Sequence, residues 1–506
     1  MARKAVLKLL FQGMGNGIDV RIDALSLPPG SGQDRDPNFA TALPVRLRET
    51  PAGAPNGSTP LTTGGRTFYI ETFGCQMNVH DSEKVAGVLL ARGYRLVERP
   101  DDADLVFYNT CSIREKAAQK VFSRLGQIKP GASTLTGTAQ PERVIGVLGC
   151  VAQQEGEEIF ERAHWVSLVC GSASYSRLPQ LLEELEGGNR RVTGLSLDTD
   201  ETFETEVTSR DNPYRAYLTI IEGCDKHCSF CVVPHTRGPE RSRSSAAVLT
   251  EARRLAEMDF SEVQLLGQTV NSYRDPSPRG MSFTELLVAV AQVPGIRRVR
   301  FTTSHPRDFD QEIVDAIDAC PQLCDHVHLP VQSGSTRVLQ AMQRTYTREE
   351  YLEKIAMLRR ARRPISITTD IIVGFPGETE ADFEETLSLL DIAQYDGAFS
   401  FKYSPRPNTP AEDWPDQIPE EEKGRRLAIL QEKQRQIQIA RNQVLVGQTF
   451  EVLVDTRSAR GNQWAGRTTS NRVVNFTSPR VSLLGEYVQV RITRAGPNSL
   501  VGEQVI

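Results

Sequence analysis

Three times in succession an apolar, strand-like stretch runs directly into a cysteine and then into a helical pattern. RTFYIETFGC ends at Cys75, DLVFYNTC at Cys111 and RVIGVLGC at Cys150. The intervening stretches read as helices. DSEKVAGVLLARG carries a cap at Asp81 or Ser82 and a stop at Gly93, IREKAAQKVFSRLGQI follows, and a third helix is expected near 153–162. Strands alternating with helices over short connections leave one sheet type open, a parallel sheet, here expected over residues 66–190. The strand ends of a parallel sheet share one edge, where ligands normally bind. Cys75, Cys111 and Cys150 lie 36 and 39 positions apart (111 − 75 and 150 − 111) and are expected to converge there. The competing reading is three buried structural cysteines, since cysteine is commonly buried.

A second α/β region opens at RAYLTIIEG and continues through EVQLLG, RRVRFTT, HVHLPV, ISITTDIIVGF and GAFSFKYS, with helical stretches such as SAAVLTEARRLAEM and REEYLEKIAMLRRA between. Six β/α units over about 190 residues fall short of the roughly 250 of a complete eight-fold barrel. A partial, open (β/α)6 barrel over 210–440 is expected. Directly after its first strand stands GCDKHCSFCVVPHTRGPERSR, residues 223–243, which places Cys224, Cys228 and Cys231 in a C-x3-C-x2-C spacing. Soft thiolates suit zinc or an iron–sulfur cluster. Structural zinc takes four protein ligands, so His227 or His235 would have to complete the set. A [4Fe–4S] cluster on three cysteines instead leaves one iron open to a small molecule. Incidental cysteines are the remaining alternative.

Residues 419–447 read as one charged helix leaving the barrel. TFEVLVD, QWAGRTT, RVVNFT, EYVQVRITRA and SLVGEQV then suggest a small β-barrel, so the third unit is expected over 441–506. That unit holds eight Arg and no Lys against four acidic residues, a net of 8 − 4 = +4 inside a chain whose net charge is −5. The basic field is therefore local.

The 506 residues suffice for two or three domains at roughly 150 residues each. No run of about 20 apolar residues occurs, which leaves no membrane-spanning helix. MARKAVLKLLFQG is interrupted by Lys8 and lacks a small-residue cleavage site, so it is a poor signal peptide. A reducing cytoplasm is the expected compartment, where clustered cysteines point to metal or catalysis rather than disulfides. Residues 1–65, with seven prolines from Pro28 to Pro60, read as a disordered extension or as the product of a start codon placed too far upstream. Cys170, at the end of an apolar strand (164–170), and Cys320 and Cys324, flanking Pro321, read as structural.

Together these stretches resemble the radical S-adenosylmethionine (SAM) superfamily and, within it, the methylthiotransferases, over about residues 66–506. TFGCQMNVHDSE, NTCSIREKA, LLGQTVNSY and FTTSHP, with the C-x3-C-x2-C loop, are similar to the MiaB-type tRNA methylthiotransferases. The relatives that modify a ribosomal protein typically show Pro-Lys after the first Gly-Cys, and those acting on threonylcarbamoyl-adenosine in tRNA show Lys-Val. Here Gln76-Met77-Asn78 follows. His227 and His235 stand where aromatic residues are common, without touching the cysteine pattern.

The resemblance implies an N-terminal parallel-sheet domain, a partial (β/α)6 radical-SAM barrel and a C-terminal TRAM barrel. It implies two [4Fe–4S] clusters, the SAM-coordinating one on Cys224, Cys228 and Cys231 and the auxiliary one on Cys75, Cys111 and Cys150. The implied reaction places a methylthio group on C2 of N(6)-isopentenyladenosine at position 37 of tRNA, next to the anticodon. The C2 hydrogen is neither acidic nor attached to a leaving group, so acid–base and nucleophilic catalysis have no purchase on it, whereas a radical generated from SAM does.

Gly267 and Gln268 would contact the SAM amino group, and Gly374, with Gly377, would shape its pocket. A turn role is the alternative at each. The implied partners are a tRNA carrying isopentenyladenosine in its anticodon loop, a reductant and a sulfur donor, with the protein a monomer. Unstacked loop bases suit sequence-specific RNA recognition, and the basic barrel suits phosphate contacts. Arg237, Arg241 and Arg243 are expected either to meet RNA or line the pocket, or to pair with Glu222 and Glu240. The alternatives are a family member acting on threonylcarbamoyl-adenosine tRNA or a ribosomal protein, a zinc-stabilised RNA-binding protein, and an iron–sulfur electron carrier.

Overall fold

Short β/α connections produce a six-stranded, all-parallel sheet at the N-terminal end. In the computed structural model, which describes residues 65–112, 115–128, 143–197, 212–458 and 463–505, its strands are β1 (Thr67–Phe73), β2 (Arg95–Leu96), β3 (Leu105–Thr110), β4 (Val144–Gly149), β5 (Leu168–Cys170) and β6 (Val192–Gly194). They are ordered β2-β1-β3-β4-β5-β6. Both faces are covered, as parallel sheets require. Alternate residues of β1 and β3 feed two separate cores, Phe68, Ile70, Leu105 and Phe107 on one side and Tyr69, Phe73, Val106 and Tyr108 on the other. Residues 1–64 of the extension expected over 1–65, and residues 198–211 of the acidic linker, lie outside the described residues.

The helix Gln76–Ala91 departs from expectation at its start. It begins directly after Cys75, which is its N-cap, so Asp81 and Ser82 lie inside the helix and not at its cap. Its polar stretch Asn78–Lys84 is buried almost throughout. The reason is tertiary, because this helix packs against the second domain. Lys84 lies 3.5 Å from Glu222, Asp81 pairs with Arg237 at 2.6 Å, and Gln264 donates to Gln76 at 3.3 Å. Gly93 follows the last turn with a φ of +84°, so the helix stops where glycine permits the left-handed turn.

In the second region β7 (Arg215–Thr219) is followed by a short antiparallel pair, β8 (Ile221–Glu222) and β9 (Arg241–Ser242), which brackets the cysteine loop. The barrel continues as β10 (Glu262–Leu266), β11 (Arg298–Phe301), β12 (His326–His328), β13 (Ser366–Val373) and β14 (Gly397–Lys402). The orders β11-β10-β7 and β12-β13-β14 make two parallel half-sheets, joined through a bridge between Val299 and Leu323 and by one continuous core. Six parallel strands with helices outside form the partial barrel that the unit count suggests.

A long helix, Glu420–Gln443, leads to β15 (Thr449–Arg457), β16 (Trp464–Arg467), β17 (Val473–Thr477), β18 (Tyr487–Ala495) and β19 (Leu500–Gln504), closed in the order β15-β16-β17-β19-β18. Val488, Val490 and Ile492 alternate inward along β18, while Gln489, Arg491 and Thr493 face out. Two of this unit's arginines, Arg441 and Arg472, are spent on docking, which Arg298 and Arg300 answer from the other side. Arg298 and Arg300 of β11 donate to the carbonyls of Arg467 and Thr468 (2.9 and 2.7 Å), and Arg441 pairs with Asp396 at 2.6 Å, as does Arg472. Arg480 pairs with Glu486, and Arg457 stacks on Trp464.

Beneath this interface Glu262, 1% exposed, is the carboxylate facing Arg298 and Arg300. Burial alone would push its carboxyl up. Arg300 and Arg215 outweigh burial and hold it below the ordinary range. Replacing Glu262 with alanine is expected to destabilise the protein by about 3–5 kcal/mol, the cost of stranding buried charges. Chemical denaturation followed by circular dichroism checks this.

Candidate functional site

The register of the parallel sheet brings the first trio together. Phe73 lies opposite Thr110, and Thr110 opposite Gly149. The next residues along β3 and β4 are Cys111 and Cys150, and Cys75 follows β1 after Gly74. All three cysteines therefore leave the same edge of the sheet on adjacent strands. Gly74 and Gly149 have φ of +136° and +89°, which L side chains rarely adopt. A Cβ on Gly74 would collide with the Cys111 side chain, and one on Gly149 would lie 2.7 Å from the Thr110 carbonyl. These glycines admit the sharp turns by which Cys75 and Cys150 leave their strands.

Two asparagines fix the turn from behind. The Asn78 side chain stands 3.2 Å from the Cys75 sulfur and donates to Asn109 Oδ1 at 3.2 Å, while Asn109 returns a bond to the Asn78 carbonyl at 3.0 Å and one to Ser82 at 2.9 Å. The adjacent Cys111 lowers the Cys75 thiol to about 6 against the opposing effect of burial, with further help from Arg237 and Asn78. By contrast Cys170 is pushed up to about 12 by burial, sits fully inside the core and behaves as the structural cysteine expected. Cys324 is likewise buried and pushed up to about 11. Gly149→Ala is expected to cost about 1–3 kcal/mol in backbone strain and to lower the iron retained after anaerobic loading. Denaturation midpoints and iron analysis on the same preparation test both.

The second trio sits on the loop between β8 and β9. Cys224 and Cys228 are buried and Cys231 is half-buried. The Lys226 N–H points at the Cys224 sulfur at 3.4 Å, and Arg344 Nη1 donates to the Cys228 sulfur at 3.4 Å. Burial pushes the Cys231 thiol up to about 12. All nine cysteines are free of disulfides. Among the described residues no three His, Cys, Asp or Glu side chains converge closely enough to share a single metal ion. His227 and His235 are exposed.

At the C-terminal ends of the half-sheet β11-β10-β7, three buried oxygens lack a protein partner. They are Thr219 Oγ1 on β7, Gln268 Oε1 after β10 and Ser304 Oγ after β11. Buried polar atoms are normally satisfied, so each of these oxygens is open to a polar ligand. A Cβ on Gly267 would lie 3.0 Å from the Ile221 carbonyl, which ties the chain beside Gln268 to the strand leading into the cysteine loop. Gly374 has a packing reason of its own. Its φ is +71°, its N–H donates to Glu378 at 2.6 Å, and Lys423 lies against its Cα.

The arginines after the cysteine loop do not present themselves to RNA. Arg237, Arg241 and Arg243 are 5%, 8% and 5% exposed. Arg243 pairs with Glu251 and donates to the Thr219 carbonyl (both 2.8 Å), and Arg241 lies 3.7 Å from Glu222. Arg237 reaches across to Asp81 and to the sulfur of Cys150. Of the expected pairs only Arg241 with Glu222 is formed among those described. The sequence does not single out Arg344 or Asn109, and it marks Asn78 only as part of the Gln76-Met77-Asn78 stretch. Asn78 has a readable signal, its place three residues after an N-capping Cys75.

Residues 67–171 match the Uncharacterized protein family UPF0004, residues 218–390 the Radical SAM superfamily and residues 443–505 the TRAM domain. A tRNA-2-methylthio-N(6)-dimethylallyladenosine synthase of Solibacter usitatus (strain Ellin6076) is 65% identical over 442 residues, 87% of this chain and 98% of that one. Proteins of the same name from Koribacter versatilis (strain Ellin345) and Chromobacterium violaceum are 60% and 48% identical, over 88% and 87% of this chain and 100% and 98% of theirs.

Proposed function

The chain belongs to the family of tRNA-2-methylthio-N(6)-dimethylallyladenosine synthases, and we propose from that membership that it adds a methylthio group to C2 of N(6)-isopentenyladenosine at position 37 of tRNA. The observation that carries the reading is the pairing of two cysteine trios, one at the C-terminal edge of the parallel sheet and one on the β8–β9 loop that follows the first barrel strand, in a chain 65% identical to a protein of that name.

The residues fit two [4Fe–4S] clusters on the chemistry of their donors. Each trio supplies three soft thiols and receives N–H groups aimed at sulfur, from Arg237 at Cys150 and from Lys226 and Arg344 at Cys224 and Cys228. We assign the SAM-coordinating cluster to Cys224, Cys228 and Cys231 and the auxiliary cluster to Cys75, Cys111 and Cys150. With SAM bound, these groups supply the radical that takes an unactivated hydrogen and the sulfur that replaces it.

The chain's own part is placement. Gly74 and Gly149 admit the turns, and Asn78 and Asn109 hold them. Thr219, Gln268 and Ser304 offer unsatisfied oxygens to the polar groups of SAM, with Gly267 setting the approach and Gly374 bounding the pocket at the far half-sheet. The helix Gln76–Ala91 presses its buried polar face on the barrel through Lys84 and Asp81. Arg491 and Arg494, exposed on β18, are placed to meet tRNA phosphates, which position without specifying sequence.

A reductant and a sulfur donor complete the reaction, and we assign the working form as a monomer in the cytoplasm, where tRNA is found. Among the described residues no helix is long and apolar enough to cross a membrane. Mass spectrometry of tRNA nucleosides after deletion of the gene tests the reading. N(6)-isopentenyladenosine is expected to accumulate and its 2-methylthio form to vanish. Persistence of the 2-methylthio form, or loss of methylthiolation from threonylcarbamoyl-adenosine or a ribosomal protein instead, overturns it.

A further inference from the structure

Arg237 leaves the barrel loop six positions after Cys231 (237 − 231) and ends the short helix Val233–Arg237. Its side chain crosses to the parallel-sheet domain. Nε–H donates to Cys150 Sγ at 3.4 Å and Nη2–H to Asp81 Oδ2 at 2.6 Å. Both charged residues are buried, at 5% and 2% exposure. The helix is pinned from both domains, since Ser172 donates to the Thr236 carbonyl at 3.2 Å and Arg241 to the Arg237 carbonyl at 3.3 Å. A guanidinium held at a ligand sulfur stabilises the more negative, reduced state of a cluster, because N–H···S bonds and nearby positive charge are the protein's main means of raising its potential. The second arginine aimed at a sulfur differs. Arg344 donates to Cys228, and its other acceptors are the Tyr346 hydroxyl and the Pro330 carbonyl. The first trio thus faces an arginine whose charge is tempered by a buried carboxylate.

We propose that Arg237 is a positioning residue that sets the reduction potential of the auxiliary cluster, with Asp81 setting how much of its charge the cluster feels. The proposal rests on the assignment of Cys75, Cys111 and Cys150 as that cluster's ligands. It makes the potential of one domain's cluster depend on a residue carried by the other domain's cysteine loop.

The test uses the full chain with Cys224, Cys228 and Cys231 all changed to alanine, loaded anaerobically with iron and sulfide. Iron content and the midpoint potential, followed by electron paramagnetic resonance, are read on each preparation. Asp81→Asn leaves the guanidinium uncompensated and is expected to raise the potential. Arg237→Met/Asp81→Asn removes both charges together with the N–H···S bond and is expected to lower it. Each shift is expected to be about tenfold in the oxidised-to-reduced ratio, about 59 mV for a one-electron couple. Shifts of the same sign, or neither ratio moving by as much as about twofold, overturn the proposal. Should the double variant fail to fold, an unchanged or lowered potential in Asp81→Asn alone overturns it. Absence of iron from the starting triple variant removes the ligand assignment and the proposal with it, and is recognised before any potential is measured.

Discussion

Cys224→Ala is expected to abolish cleavage of SAM to 5′-deoxyadenosine, and methylthiolation of tRNA with it, to the limit of detection. About half the loaded iron should remain. The size of the effect follows from ligand count, because three thiols already leave no reserve at a cluster that keeps one iron open. The fold should survive. Cys224 lies on a loop held at both ends by the β8–β9 pair, and its backbone N–H bonds the Gly238 carbonyl at 3.2 Å, a contact that alanine keeps. Inside the loop, Ser229 donates to the Ala341 carbonyl at 2.8 Å independently of the thiols. Loss of one sulfur there belongs with changes of about 1 kcal/mol. Unchanged thermal melting with residual SAM cleavage at a substantial fraction of the parent rate would contradict the assignment of Cys224.

The parts of this site that the sequence discloses are those encoded locally. The C-x3-C-x2-C spacing lies on one loop. The placement of Cys75, Cys111 and Cys150 on one edge of the sheet follows from strand ends alone, because a parallel sheet converts position after a strand into position in space. The five strands of the C-terminal barrel are legible for the same reason, through period-two alternation such as that of β18. What stays hidden is carried by partners distant in the chain. Arg237 meets Cys150 from 87 positions away and Arg344 meets Cys228 from 116.

The helix Gln76–Ala91 shows how such partners mislead a local reading. Its polar residues suggest a solvated first turn, which moves the expected cap to Asp81 or Ser82. They are buried against Glu222 and Arg237 of the next domain instead. The arginines obey the same logic. Counting charge in residues 441–506 predicts a basic face, whereas Arg441 and Arg472 pair with Asp396 of the radical-SAM barrel, and of the exposed arginines Arg457, Arg480, Arg491 and Arg494 one, Arg480, is paired with Glu486. Charge counts report composition and cannot tell a docking charge from a solvated one.

The simultaneous change of Cys75, Cys111 and Cys150 to alanine is expected to separate the two halves of the chemistry. Methylthiolated tRNA should fall below detection while SAM is still cleaved to 5′-deoxyadenosine, because the loop bearing Cys224, Cys228 and Cys231 is closed by the β8–β9 pair and none of its three cysteines belongs to the first trio. Two contacts argue that the parallel sheet will tolerate the change. Asn109 bonds the Asn78 carbonyl, and Asn78 bonds Asn109 Oδ1, so the turn is held without the thiols. Gly74 and Gly149 remain free to adopt their positive φ. One coupling does cross between the domains, since Arg237 loses its acceptor at Cys150 and keeps Asp81, the stronger of its two partners by charge. SAM cleavage is therefore expected to persist with a modest change in rate. Liquid chromatography of the nucleosides and of 5′-deoxyadenosine from one reaction reads both outcomes. Methylthio product formed by the triple variant would show that sulfur is handled elsewhere, and joint loss of both products in a folded protein would show that the trios are not separable.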